Sequence, residues 1–210
     1  MLNQTDIMTT LAYLMGERTI PTTAVESRQD FIQRTVEEVY RAYPWSFANA
    51  NATLTVDSGT ATLPSNFDSQ HKLYVYFYNG TEQVALDEIN IGDSDMYVDG
   101  DRRYWLDKIG NNTYLIKTKD TDISSVIANH QTVAPELNAS IATPFPDRMT
   151  IALGAKRYIK LAEDPNADIA QDERIFKNRL SENVAAVQTS RPLKRFRKIY
   201  EANRYRLGED

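Results

Sequence analysis

The residues that come closest to a chemical site are seven acids between positions 82 and 101, a stretch without Lys, Arg or His that we call the acidic segment. Calcium takes carboxylate ligands such as Asp93 and Asp95, but the spacing does not fit a calcium-binding loop. With Asp95 as the first position, Tyr97 and Leu106 occupy places where oxygen ligands belong. Two interpretations stay open: a solvated loop that charge repulsion keeps extended and mobile, or an acidic face that meets a basic partner.

The sequence contains none of the common catalytic motifs. It has no Gly-x-x-x-x-Gly-Lys phosphate loop, no His-Glu-x-x-His zinc pair and no Gly-x-Ser-x-Gly nucleophile elbow. The two histidines, His71 and His130, lie in predicted strands or their flanks, where a packing role is far commoner than catalysis. Without cysteine there is no disulfide, thiolate metal site or Cys nucleophile. We expect a protein that is not an enzyme and has no cofactor or metal; a two-carboxylate glycoside hydrolase stays an alternative.

Charge is distributed unevenly along the 210 residues, whose net charge is -5. Residues 191–210, which we call the C-terminal arm, hold seven of the 24 Lys and Arg residues and three of the 29 acids, so the arm is net +4 and the rest net -9. Such asymmetry is typical of an interacting tail. The acidic remainder argues against a protein that coats nucleic acid, because phosphate binding needs many cations on one face.

Apolar residues recur in the arm at a spacing of three to four, at Leu193, Phe196, Tyr200 and Leu207. A helix with this stripe has four possible partners: its own helices, an anionic membrane, nucleic acid, or a groove on another protein. Pro192 indicates a break that lets the arm leave the body. We favour the protein partner, with aromatic anchors and arginines as its strongest contacts. No run of 18 apolar residues predicts a membrane span, and the first residues do not resemble a signal peptide.

The hydrophobic residues of the elements that must position these side chains recur with two different spacings, one helical and one strand-like. Three- to four-residue spacing predicts helices at 5–16, 24–43, 147–163 and 168–189, with Pro44 ending the second and Asp147 capping the third. Period-two patterns predict a β region over 50–131. Its hairpins turn at Asp57-Ser-Gly59, at Asn79-Gly80 and at Gly110-Asn-Asn112, and a further strand covers 123–131.

This order predicts an α+β fold in which the N- and C-terminal helices form one helical bundle with an inserted antiparallel β region. Residues 1–190 would be a single domain, and 191–210 would be an extended or helical arm. One strand of the β region is unusual, because Val75 and Phe77 alternate with Tyr74, Tyr76 and Tyr78. Either a helix or loop covers these three tyrosines, or they form a subunit interface.

Two short motifs carry a family resemblance. Tyr43-Pro-Trp-Ser-Phe-Ala48 closes the second helix, and Thr62-Leu-Pro-Ser-Asn-Phe67 leads into the next hydrophobic strand. Together with the element order and the basic arm, they resemble the head-to-tail adaptor proteins of tailed bacteriophages, closest to the tail tubular protein A or gatekeeper-ring proteins of short-tailed phages. In such a chain Trp45 and Phe47 would anchor the exit from the helix, and Pro64 would stiffen the entry to the strand.

The resemblance implies a structural virion protein of the neck, assembled in the host bacterial cytoplasm. Its implied partners are the portal dodecamer, other copies in a ring of twelve, and a tail or nozzle protein below, while genomic DNA passes through without specific binding. A small nucleic-acid-binding module that uses the arm is the alternative function. The residues expected to dock on the portal are Arg191, Leu193, Lys194, Arg195, Phe196, Arg197, Lys198, Tyr200, Tyr205 and Arg206. Candidates for the subunit interface are Tyr74, Tyr76, Tyr78, Asp93, Asp95, Asp99 and Asp101. The structural motif consists of Pro44, Trp45, Phe47, Leu63, Pro64 and Phe67.

Overall fold

The computed structural model describes residues 1–18, 20–110, 113–138 and 140–190, and its side chains as far as residue 187. The chain divides into two compact units. One consists of Met1–Thr35 and the described residues after Pro144, and it is helical. The other is Val36–Pro144, and it contains all the described strands.

The helical unit contains α1 (Gln4–Leu14), the first turns of α2 (Val25–Ala42), α3 (Arg148–Glu163) and α4 (Ala170–Ser190). The helix α3 packs against both α1 and α4. Closest approach occurs at Gly154 of α3, which lies against Thr35 of α2 and Phe176 of α4. A residue with a side chain would collide at this point, so glycine allows the helices to meet.

Asp147 joins the start of α3 to α4. Its carboxylate accepts hydrogen bonds from the Met149 backbone N–H at 3.0 Å and the Thr150 hydroxyl at 2.8 Å. It also accepts from Arg179 Nε at 2.9 Å and Asn183 Nδ2 at 3.0 Å, both on α4. Burial alone would raise the pKa of Asp147, but these hydrogen bonds outweigh it and hold the pKa below its usual value. The predicted cap at Asp147 is confirmed, and it also links two helices.

The second unit is built on a seven-stranded mixed sheet. Its strands are β1 (Asn49–Thr55), β2 (Thr60–Thr62), β3 (Tyr74–Asn79), β4 (Glu82–Glu88), β5 (Arg103–Lys108), β6 (Tyr114–Lys117) and β7 (Ser125–Gln131). They lie in the order β1-β7-β3-β4-β5-β6-β2, and all neighbours are antiparallel except β4 and β5. The outermost strands, β1 and β2, are joined by a tight turn in which Asp57 and Thr60 exchange backbone hydrogen bonds. The sheet is therefore nearly closed on itself.

The inward side of this sheet forms its own hydrophobic core. Val75, Phe77, Leu86, Tyr104 and Val126 are among its buried side chains. The open side remains available to solvent along β3 and β4. Because side chains alternate along a strand, filling the interior with Val75 and Phe77 forces the tyrosines of β3 outward.

The predicted helical bundle with an inserted β region is wrong. A nearly closed sheet of seven strands with its own core is a compact unit, and not a small insertion between helices. The error arose because period-two patterns identify strands but do not reveal their partners far along the chain.

The predicted hairpin at Asp57-Ser-Gly59 is also wrong beyond its turn. The turn itself forms, with Ser58 and Gly59 at positive φ. However, β1 pairs with β7 and β2 pairs with β6, so the two strands separate after one bridge.

Among the residues that the structure describes, no helix is long and apolar enough to cross a membrane.

Candidate interaction surface

The ten residues predicted to dock on the portal lie in the C-terminal arm, outside the residues that the structure describes. The predicted interface residues and the structural motif all lie in the sheet unit.

The tyrosines of β3 line an open face of the sheet. Tyr74 and Tyr78 are 55% and 56% exposed, and Tyr76 between them is half-buried. Their neighbours on the same face are short or polar, since Tyr76 lies opposite Ala85 and Tyr78 opposite Gln83. Among the described residues, no helix or loop covers Tyr74 and Tyr78.

A groove of about 880 Å³ runs along this face, and we call it the tyrosine groove. Its walls come from β3, β4, the segment after β4, and the start of β5. The side chains that give it character are Tyr74, Tyr76, Asp87, Glu88, Asp93, Tyr97 and Arg103. The groove thus brings together Tyr74, Tyr76 and Asp93 from the predicted interface. The other four, Tyr78, Asp95, Asp99 and Asp101, are not among its lining residues.

Cations already lie on some of the aromatic rings in the groove. Lys72 Nζ is 5.1 Å from the centre of the Tyr74 ring, and the Arg103 guanidinium is 5.7 Å from that of Tyr97. Arg103 also pairs with Asp87 at 2.9 Å. These contacts are cation–π and ion-pair interactions of an exposed kind. The groove therefore has the chemistry to bind further cationic side chains.

Tyr104 forms the floor of the groove. It is buried, and its hydroxyl donates to the Leu73 carbonyl at 3.1 Å and to Glu88 Oε2 at 3.4 Å. Burial, followed by the negative charge of Glu88, raises the pKa of Tyr104, so its hydroxyl stays protonated and continues to donate. The Glu88 carboxylate, at the edge of the groove, therefore lies close to a neutral donor.

The acidic segment is folded, and the expectation of an extended loop is wrong. Its middle forms a 3-10 helix at Ile91–Met96. Beyond it, Asp99 accepts from the Thr121 backbone N–H at 3.0 Å and the Thr121 hydroxyl at 2.7 Å. The Gly100 N–H donates to Asp120 Oδ1 at 2.6 Å. These hydrogen bonds lower the pKa of Asp99 and fasten the segment to the chain before β7.

Arg102 reinforces this attachment. It donates to both carboxylate oxygens of Asp122, at 2.6 and 2.8 Å, and lies 3.8 Å from Asp120 Oδ2. Its guanidinium is also 4.9 Å from the centre of the Phe77 ring. Arg102 has a φ of 56°, a left-handed conformation that a residue other than glycine rarely adopts. Several contacts thus compensate for an unfavourable backbone.

Sequence reasoning missed three exposed apolar residues that this folding holds at the surface: Ile91, Met96 and Val98. Each is more than half exposed, although the segment around it is folded. The sequence contained a signal for this arrangement. An extended, solvated loop would expose three large apolar side chains to water, so their presence in the acidic segment favours a folded segment instead. Exposed apolar side chains on a fixed surface are typical of a protein interface. Among the described residues, no group of three or more His, Asp or Glu could hold a metal ion.

The first structural motif anchors the end of α2. Trp45 is fully buried, and its indole N–H donates to the Val39 carbonyl at 2.7 Å. The rings of Tyr43 and Phe47 lie 5.2 and 5.5 Å from it. Exposed Pro44 follows the end of the helix by two residues. These contacts fix the conformation of the chain where it leaves α2.

The second motif fixes the chain after β2. Leu63 is buried and its N–H donates to the Tyr114 carbonyl at 2.9 Å. A turn follows, in which the Phe67 N–H donates to the Pro64 carbonyl at 3.0 Å. The buried Phe67 ring packs edge-on against Tyr114 at 5.3 Å and His130 at 6.0 Å.

The two motifs meet at the end of β7. The Thr132 N–H donates to the Ala48 carbonyl, and the Val133 N–H donates to the Asn66 carbonyl, both at 2.8 Å. Phe67 forms a β-bridge with Thr132. The motifs therefore fasten two parts of the chain to the residues that follow β7, which is a structural role.

Neither histidine has the surroundings of a catalytic base. His71 Nε2 lies 3.1 Å from the Tyr40 carbonyl and 3.9 Å from Asp68. His130 is buried, with Nδ1 3.3 Å from the Ala128 carbonyl and its ring against Phe67. Both rings are packing elements that contact backbone carbonyls.

These features define a class: an α+β protein whose tyrosine groove and exposed apolar residues suit contact with other proteins. Comparison with protein families then identifies it further, because the model of the SU10 adaptor protein matches residues 3–196. The chain belongs to the SU10 adaptor protein family. A comparison with curated proteins finds no match.

Membership of this family confirms the resemblance to phage head-to-tail adaptors. The protein is a bacteriophage structural protein of the adaptor class, a class associated with portal and tail components and not typically enzymatic. The match also reaches into the C-terminal arm, since it ends at Phe196.

Proposed function

We propose that this protein is the subunit of a ring, commonly of twelve copies, that joins the portal dodecamer to the tail. Its family membership over residues 3–196 carries the proposal. A ring requires each subunit to present two different faces to its neighbours, because head-to-tail association is heterologous. The tyrosine-rich groove is a candidate for one of these faces, while the basic arm is assigned to the portal.

Within this proposal residues 1–190 act as the adaptor domain and residues 191–210 as the arm that docks on the portal. Aromatic and arginine side chains are the residue types that most often dominate binding energy at protein interfaces. The arm has Phe196, Tyr200 and Tyr205 among seven basic residues. The opposite side of the ring would receive the tail or nozzle protein.

The charge of the body suits a channel that DNA crosses without being held. Residues 1–190 are net -9, and phosphate binding needs clustered cations. We place the assembled ring in the neck of the virion, after assembly in the cytoplasm of the host bacterium.

Binding to purified portal tests the proposal. We expect deletion of 191–210 to leave the thermal unfolding of residues 1–190 cooperative but to abolish binding to portal dodecamers. In the full chain, the double variant Phe196→Ala, Tyr200→Ala should weaken binding at least about 30-fold, since two anchors at about 2 kcal/mol each exceed that factor. Tyr13→Ala, which removes an exposed tyrosine of α1, is the matched control. Undiminished docking of the truncated protein would contradict the proposal.

The net charge of the arm favours one other function, a small nucleic-acid-binding module. That function predicts binding of short duplex DNA with a logarithmic salt dependence of about -0.9 per phosphate contacted. A flat titration at low salt would eliminate it, whereas steep salt-dependent binding combined with no portal binding would favour it over the ring.

A further inference from the structure

We infer that the tyrosine groove is a docking site for residues 191–207 of a second copy of this chain, occupied before the portal is engaged. The inference rests on the proposed function in taking copies to associate head to tail. It goes further by assigning the surface on which the arm is held when no portal is present.

The aromatic part of the groove suits arginine and lysine side chains. Tyr76 lines the groove and packs edge to face at 6.1 Å against Tyr78, which lies on the same face just outside the groove and is more than half exposed. Lys72 and Arg103 already lie over Tyr74 and Tyr97. Those two contacts show that the rings of this face stand where cations can reach them. A strand-like or helical segment rich in arginine could repeat the same contact on Tyr76 and Tyr78.

The charge of the groove is complementary to the arm. Asp93 lines the groove and Asp95 is next to it in the same 3-10 helix, and neither has an ion-pair partner among the described residues. Glu88, at the edge of the groove, lies 3.4 Å from the Tyr104 hydroxyl, a neutral donor. Asp87 and two cations, Lys72 and Arg103, also line the groove, so that the groove with Asp95 remains net negative. Residues 191–207 offer seven basic side chains and a single acid, Glu201. Such complementarity accelerates association and excludes partners of the wrong sign.

The arm also has an apolar stripe, and exposed apolar residues of the acidic segment match it. Ile91, Met96 and Val98 are exposed on a segment that Arg102 and the hydrogen bonds to Thr121 hold in place. The arm repeats apolar residues at Leu193, Phe196, Tyr200 and Leu207. A nucleic acid would offer no apolar stripe and would be repelled by the carboxylates. A basic amphipathic segment satisfies both properties of the surface, and this chain contains one.

The groove and the arm are two different surfaces of one chain, so each copy can use its groove for one neighbour and its arm for another. The groove of one copy takes the arm of the next, which is a heterologous contact between copies that have not yet engaged the portal. The portal and the groove then compete for the same segment. An arm that is held in a groove cannot bind the portal, so the apparent affinity for the portal falls in proportion to the fraction of arms that are free. Substitutions that release the arm from the groove should therefore strengthen portal binding.

Photocrosslinking in the full-length protein without portal tests the groove directly. A benzophenone amino acid replaces Tyr76 in one sample and Tyr13 in the control, and ¹⁴N and ¹⁵N protein are mixed before irradiation. We expect crosslinked peptides from position 76 to residues 191–207, with mixed labels that prove contact between copies. Crosslinks within single copies only, crosslinks to other segments, or no enrichment over position 13 would each overturn the inference.

Portal binding supplies an independent measurement. The full-length variant Tyr76→Ala, Asp93→Asn should bind portal about 3- to 10-fold more tightly than wild type, because its arms are no longer retained. Unchanged or weaker binding of this variant to the portal would show that the groove and the portal do not compete for the arm. If no form of the protein bound portal, the proposed function would fail, while the crosslinking result would still decide the groove.

Discussion

Replacement of Gly154 by alanine is a quantitative test of the packing between α2, α3 and α4. A Cβ atom at this position would lie 2.2 Å from Thr35 Cγ2, whereas carbon atoms normally approach no closer than about 3.5 Å. Thr35 is completely buried, and its hydroxyl donates to the Phe31 carbonyl at 2.9 Å. Rotating the methyl group away would therefore disturb a hydrogen bond worth about 1 kcal/mol.

Two opposing effects determine the expected change. Overpacking a core with an extra methyl group costs about 1–3 kcal/mol, and occasionally more. Alanine recovers about 1 kcal/mol of helix propensity relative to glycine. Since the overlap exceeds 1 Å, we expect a cost in the upper part of that range, so that Gly154→Ala lowers the free energy of unfolding by about 1–2 kcal/mol. For a chain of this size that corresponds to a melting temperature lower by about 2–4 °C per kcal/mol.

The second variant, Thr35→Ser, removes the colliding methyl group and keeps the hydroxyl. Alone it should cost about 1 kcal/mol for the lost methyl. In the double variant the closest remaining contacts of the new Cβ are Phe176 Cε2 at 3.0 Å and the hydroxyl oxygen at position 35 at 3.1 Å. We therefore expect the double variant within about 1 kcal/mol of wild type, with a favourable coupling of at least that size.

Urea unfolding of the four proteins measures this cycle. The coupling should appear as a double variant more stable than Gly154→Ala alone. If the two losses simply add, so that the double variant is the least stable of the four, the close approach of α3 to α2 does not exist as described.

Three further outcomes follow from the same structure. Trp45→Phe should cost about 2 kcal/mol in urea unfolding, from the lost hydrogen bond and ring volume, and more than the half-buried control Trp105→Phe; equal costs would contradict the anchor. The depressed pKa of Asp147 contributes stability that is complete above its unfolded value of about 3.9 and is lost as pH falls through the folded pKa, so Asp147→Asn should flatten the fall in stability below about pH 4. Arg102→Ala should speed amide hydrogen exchange in the acidic segment at least about tenfold, which Arg41→Ala, at an exposed arginine of α2 that pairs with Glu37, should not do; no difference would show that Arg102 does not fasten the segment.

Local sequence signals specified local structure. The Asn79-Gly80 pair predicted a hairpin, and β3 and β4 pair across it with Gly80 at a φ of +68°. Pro44 predicted the end of α2, which ends at Ala42. Each of these features depends on backbone preferences of residues within a few positions of one another, and sequence alone contains that information.

Long-range pairing was not predictable in the same way. The turn at Ser58 and Gly59 formed, yet β1 pairs with β7, about seventy residues further along. Pairing of that kind depends on which strands bury the most apolar surface together, and alternation alone does not reveal it. The helical-bundle prediction failed for this reason.

The candidate surface was predicted in part. Alternation along β3 correctly separated Tyr74, Tyr76 and Tyr78 from the core. Charge repulsion wrongly suggested an extended acidic segment, because the contacts from Gly100 and Arg102 to Asp120 and Asp122 join residues about twenty positions apart. Those contacts are invisible until the sheet has placed both segments side by side.

The central claim, that this adaptor-family protein forms a ring on the portal, is tested most directly by native mass spectrometry with purified portal dodecamers. We expect a complex of one portal dodecamer with twelve chains of the full-length protein, and free portal when residues 191–210 are deleted. Failure of the full-length protein to bind the portal, or twelvefold binding by the truncated protein, would contradict it.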